Sequence, residues 1–222
     1  MTAISLVRVL HIAIGIFAFM VVPVPLLAAK GSKLHVSYGR IYTWAMAALA
    51  ATGVPLAARG LFFQDSGRQA NALFLFLIAL LASDNAWMGI RALRSYRGGS
   101  SGARVVDVAL PSLLLAGSIG LGALGLLRGA LLHIFFALLG TALALGQLRD
   151  VRRPTKTRTD AILRHIGGMG VSCITTLTAF LVTNARYVFH IGPFNLFVWV
   201  APAVLGSIAI AVAQRMWRAR LS

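Results

Sequence analysis

Six side chains hold most of the chemistry this sequence can offer: His11, His35, His133, His165, His190 and Asp84. Each lies in or beside a long apolar stretch. Histidine is the commonest metal ligand and a frequent haem ligand. Two histidines from different helices can hold a haem between them inside a bundle. By position along the chain, His11, His133 and His190 fall towards one membrane face, and His35 and His165 towards the other. The leading reading is an inner pair, His35 with His165, and an outer pair, His11 with His133, holding haem b or a transition metal. Lys33, Arg40 and Arg164 stand near the inner pair, where haem propionates would need cations. Gly167, Gly168 and Gly170 follow His165 and bare the helix for a porphyrin face or for another helix. Zinc suits the same residues: His11, His133 and His190 outside, or His35 and His165 plus an aspartate inside. A catalytic zinc takes three protein ligands and a water. The plainer reading is that histidines at helix ends meet headgroups and water.

Asp84 is the second signal. An ionised carboxylate in hydrocarbon is costly and must face a partner, face water or take up a proton. Arg91 lies two turns further along the same helical face. The simplest expectation is that Asp84 pairs with an arginine or tyrosine of a neighbouring helix; the sharper one is a proton- or ion-coupling carboxylate. Ser172, Thr175, Thr176 and Thr178 add polarity to one stretch, with no histidine–acid arrangement beside them. The lysines (Lys30, Lys33, Lys156) all fall in loops, so a retinal Schiff base has no anchor.

The elements that must position these groups follow from composition. The chain has 222 residues, of which 59% are hydrophobic and 12% charged. Soluble domains run at about 25% charged residues, so most of this surface needs lipid as its solvent. A membrane-spanning helix takes about 20 apolar residues. Seven stretches qualify: Ile4–Ala29, His35–Ala58, Ala70–Leu93, Val105–Leu127, Ala130–Leu148, Leu163–Ala185 and Ile191–Val212. Arg128 and Gly129 make a tight hairpin between the fourth and fifth. Pro23 and Pro25 are expected to kink the first helix, with further bends or starts at Pro55, Pro111 and Pro202. Trp44, Trp87, Trp199 and Trp217, with Tyr38, Tyr42, Tyr96 and Tyr187, are expected in the interfacial belts.

There are 21 basic and five acidic residues, for a formal charge of +16. Sorted by loop, sixteen bases fall on the side of the C-terminus and five on the other. The positive-inside rule then sets the N-terminus outside and the C-terminus in the cytoplasm. The basic excess is thus a topology signal and not a nucleic-acid footprint, which would need a folded, water-exposed basic domain. Arg8 and His11, with a long apolar region, mark the first span as a retained helix rather than a signal peptide. Cys173 is the single cysteine and has no disulfide partner in the chain.

Two groups of residues resemble a known family. The first is Leu10-His11 and Gly15, then Lys30-Gly31, Leu34-His35 and Gly39-Arg40-Ile41-Tyr42. The second is His165-Ile166-Gly167-Gly168-Met169 with Ser172, Thr178-Ala179-Phe180-Leu181-Val182, Trp199, Pro202 and Gly206. Together they are similar to the domain of unknown function 2306 family of bacterial integral membrane proteins. Many relatives have arginine after the first-element histidine, where this chain has Val36. The resemblance implies the membrane fold and points to His11, His35 and His165 without giving them a role.

The expectation is an all-α, multi-pass protein of the bacterial cytoplasmic membrane, one domain over residues 1–222. Its leading function is a histidine-ligated haem- or metal-binding redox module. The alternatives are a small proton- or ion-coupled transporter using Asp84, or an accessory subunit of a larger membrane complex. Its partners would be the bilayer and a second membrane protein or another copy of itself. For the accessory subunit, the face carrying Gly117, Gly120, Gly122 and Gly125 would dock on the partner, unless it serves close helix packing within the chain.

Overall fold

The computed structural model describes residues 2–63, 66–98, 104–153, 155, 157–188, 190 and 195–221. Asp65, Pro154 and Lys156, and the side chains of Arg68, Arg186 and Tyr187, lie outside the described residues. Eight α-helices follow one another, with no strand among the described residues. They are α1 (Ala3–Val21), α2 (Pro23–Leu27), α3 (Lys33–Phe63), α4 (Ser66–Tyr96), α5 (Val105–Arg128), α6 (Leu131–Arg152), α7 (Arg158–Val188) and α8 (Leu196–Leu221). Counting α1 with α2, seven helices are long and apolar enough to cross a membrane. The seven expected spans are therefore present, and the chain is a multi-pass membrane protein by its helices.

Local chemistry sets the breaks. Pro23 takes the first position of α2, where its missing N–H costs nothing. This converts the expected kink into a short second helix. Gly129 ends α5 in the left-handed region (φ 62°), and Ala130 donates its N–H to the Gly125 carbonyl at 2.9 Å. That is the Schellman pattern, and it makes the α5–α6 hairpin as tight as the sequence indicated. Pro55, Pro111 and Pro202 instead lie inside continuous helices.

Several helices run past the apolar stretches that announced them. Hydropathy marks only the hydrocarbon slab, whereas α3, α4 and α7 carry polar turns beyond it. The seventh span is displaced, beginning at Leu196 rather than Ile191. His190 does not start it: His190 is exposed and outside any helix, at φ 55°.

Helix α4 runs through the centre, packed on α3, α5 and α7. One apolar cluster joins α4 to α5–α8 around Phe74, Phe136 and Trp199, whose rings meet at 4.8–5.5 Å. Trp199 is buried there rather than placed in an interfacial belt. The second cluster joins α1, α3, α4 and α7 around Ala18, Tyr42, Met46 and Ala86.

In lipid, close packing rather than water exclusion holds helices together, and the glycines show where. A Cβ on Gly168 would sit 2.7 Å from the Asn85 carbonyl oxygen and 2.8 Å from the Gly89 Cα, so α7 crosses α4 backbone to backbone. Gly117 faces Leu77, Gly122 faces Ala137, and Gly125 faces His133 and Ile134. The glycine face of α5 is thus spent on α4 and α6, and only Gly120 remains open. Of the two readings of this face, close helix packing within the chain is the one seen.

Tyr42 is also fully buried, which removes it from the belts. Its hydroxyl lies 2.7 Å from Ser172 Oγ and 2.8 Å from Thr176 Oγ1, tying α3 to α7. Interhelical hydrogen bonds in membranes contribute about 0.6 kcal/mol each on average. Tyr42→Phe is therefore expected to lower stability by about 1 kcal/mol in equilibrium unfolding from mixed micelles.

Candidate functional site

The end of the bundle that carries Lys30, Arg97, Arg153 and Arg164 holds a cavity of about 240 Å³ between α4, α6 and α7. Asn85, Arg91, Gln147, Asp150, Thr155 and Arg164 supply its polar lining. Asp150 and Arg164 keep part of their surface exposed at its rim. The cavity is roomy enough for several waters, and its lining offers them partners.

Asp84 lies behind this lining, next to Asn85. Its residue is 0% exposed, and neither carboxylate oxygen has a hydrogen-bond partner. Gln147 is the polar side chain near enough to act on the carboxylate. Its contact with Asp84 is loose and falls short of a well-formed hydrogen bond. Twelve residues separate Asp84 from the end of α4 at Tyr96, about 18 Å at 1.5 Å per residue. An unpartnered carboxylate at that depth is rare in membrane bundles and marks ion or proton pathways.

The expected pairing of Asp84 is not made. Arg91 turns to Asp107 of α5 instead, Nε to Oδ2 at 2.8 Å. Asp107 is the opposite of Asp84: it also accepts from Trp87 Nε1 at 2.8 Å and from the Arg104 backbone N–H at 3.0 Å. Trp87 therefore also serves as a donor to a carboxylate in the first turn of α5. At the rim, Arg164 bridges Asp150 at 3.1 Å and Asp160 at 2.9 Å. Of the four described aspartates, Asp150 lines the cavity, and Asp107 and Asp160 are tied to its lining arginines. Three are held by arginines, and the deepest is not.

The inner histidine pair is brought together. The His35 and His165 rings lie 6.2 Å apart, centroid to centroid, with their planes at 73°. His35 Nδ1 is 2.9 Å from the Pro25 carbonyl, and His165 Nδ1 is 3.1 Å from the Gly89 carbonyl. Lys30 donates to the same Pro25 oxygen at 2.9 Å. Partial burial lowers the Lys30 ammonium from its ordinary value.

The outer pair is not brought together. His11, on α1, shares a 2.9 Å hydrogen bond with Thr52 Oγ1. His133, on α6, packs edge-on against Phe74 at 5.2 Å. Helices α1 and α6 are not neighbours: α1 packs on α3, and α4 stands between α3 and α6. Among the described residues no three histidine, cysteine or aspartate side chains converge, so neither zinc set assembles. The glycines after His165 are filled by helices: Gly167 faces Gln214, Gly168 faces α4, and Gly170 faces Ile210 of α8. Of the two expectations for them, helix packing is the one realised, and no porphyrin face is cleared there.

Sequence reasoning missed Gln147 and the Trp87–Asp107–Arg91 group. The signal for Gln147 was available: it is the one amide of the Ala130–Leu148 stretch, three residues before Asp150. No family model, curated protein or solved structure matches the chain.

Proposed function

We propose that this protein is a proton-coupled transporter of the bacterial cytoplasmic membrane, with Asp84 as its coupling carboxylate. One observation carries the reading: a fully buried carboxylate without an ionic partner stands behind a polar cavity, with a loosely placed glutamine amide as its polar neighbour. Protons enter at the Asp150–Arg164 rim, pass along water held by the polar lining, and reach Asp84 beside the Gln147 amide, which orients that water. Sorted by loop along the sequence, sixteen of the 21 bases fall on the side of the C-terminus, the side to which Arg153 and Arg164 at the cavity belong, and the positive-inside rule makes that side cytoplasmic. The N-terminus is then outside and the C-terminus inside.

The redox reading loses its second station with the outer pair, because electrons would have to cross without a cofactor in that leaflet. The transport reading needs only one site. Its test is proton movement in proteoliposomes holding an interior pH dye, under an imposed gradient. The wild-type chain is expected to move protons well above empty vesicles. Asp84→Asn, which keeps shape and polarity, is expected to lower the rate at least tenfold. Wild-type flux no greater than that of empty vesicles, or unchanged flux in Asp84→Asn, overturns the proposal.

A further inference from the structure

We propose that His35 and His165 bind one monovalent copper ion at the basic end of the bundle, with the Met169 thioether as a third ligand. This site is separate from the Asp84 cavity and does not depend on it.

The argument begins with the tautomers. A carbonyl oxygen only accepts, so a ring nitrogen beside one must carry the hydrogen. His35 Nδ1 and His165 Nδ1 each meet a backbone carbonyl, of Pro25 and of Gly89. In the neutral rings both Nε2 atoms therefore hold a free lone pair. Neither Nε2 makes a hydrogen bond among the described residues. Donation from the remote nitrogen to a carbonyl is how metal-binding histidines are usually oriented. Here two such rings come from different helices, α3 and α7, and lie 6.2 Å apart. Two imidazoles sharing one ion through metal–nitrogen bonds of about 2.0 Å have centroids roughly 6 Å apart.

Ligand type and charge select the metal. Among the described residues no third histidine, cysteine or aspartate joins the pair, so the four-ligand set that zinc prefers is missing. Met169 lies one turn beyond His165, which puts it on the same helical face. It packs beside Gly89, the residue whose carbonyl receives His165. Thioether sulfur with imidazole favours copper in its monovalent state. Lys30 and Arg97 stand close enough for their charges to act on His165. Their repulsion is twice as large for a dication as for a monocation at the same distance. The helices that fill the glycines after His165 leave a bare ion as the better fit than a porphyrin.

The test is a titration of the full-length protein in detergent with monovalent copper under ascorbate, against a coloured copper chelator. One copper per chain is expected. His35→Ala and His165→Ala are each expected to weaken binding at least a hundredfold, while His190→Ala, at an exposed position, leaves it unchanged. Met169→Leu is expected to weaken it about tenfold and to remove sulfur from the copper X-ray absorption spectrum. Should an alanine variant fail to fold, His165→Gln keeps a polar side chain at that position; it is expected to lose copper with its helical circular dichroism intact. The proposal is overturned if wild type takes up no stoichiometric copper, or if either histidine variant retains it. Equal affinity for zinc, or a Soret band in the purified protein, overturns it as well.

Discussion

Gly168→Ala is expected to destabilise the protein by about 3 kcal/mol, although the same change at an open helical position stabilises. The two effects can be weighed. Replacing glycine by alanine inside a helix gains up to about 1 kcal/mol of propensity. Against it, the new Cβ would fall 2.7 Å from the Asn85 oxygen and 2.8 Å from both the Gly89 nitrogen and Cα. These are backbone atoms and cannot rotate away, so α4 and α7 must separate. Overpacking costs about 1–3 kcal/mol and occasionally more, and this contact is at the upper end because neither side can yield. Separation also pulls His165 Nδ1 off the Gly89 carbonyl, now 3.1 Å away. The control is Gly120→Ala, whose Cβ would meet nothing within 4 Å. It is expected to be neutral or to stabilise by up to about 1 kcal/mol. Unfolding in mixed micelles measures both. Equal midpoints for the two variants would remove the close crossing from the account.

The same contrast shows what a sequence of this kind reveals. The seven helices were legible because each must fill a hydrocarbon slab with apolar residues, and lipid enforces that helix by helix. Asp84 was legible because it is a carboxylate where carboxylates are costly. Depth was legible too, and it placed His35 and His165 at one end. Neighbour relations were not. His11 and His133 share a depth yet sit on helices with others between them, and nothing in hydropathy encodes which helices touch. The glycines after His165 carried the information that something approaches closely. They did not say whether it was a ring or a helix. Asp107 looked like a plain span-end residue, because the two side chains that hold it, Arg91 and Trp87, come from α4.

Asp107→Asn is expected to cost about 3–5 kcal/mol, the range for removing one partner of a buried ion pair. The side chains are 11% exposed for Arg91 and 4% for Asp107, so the pair is buried enough for that range to apply. Trp87 Nε1 and the Arg104 N–H donate to different oxygens of Asp107, and asparagine keeps only one of them, so the loss reports the charge together with one of these two hydrogen bonds. Its consequence for the cavity follows from geometry. Arg91 lines the cavity and lies two turns from Asp84 along α4, about 10 Å by helical rise. Asp107 is what holds the guanidinium on the α5 side. Released, Arg91 has a buried charge without a partner and Asp84 has an anionic site without one. The two are expected to pair across the cavity, and proton flux in proteoliposomes should fall with stability. Arg91→Met added to Asp107→Asn removes the stranded cation. Replacing both members of a buried pair is commonly close to neutral, so the double variant should recover most of the lost stability and free Asp84 again. Flux that returns with Arg91→Met identifies Asp107 as the residue that keeps the coupling carboxylate unpaired. A double variant no more stable than Asp107→Asn alone would mean that Arg91 was never held by that charge.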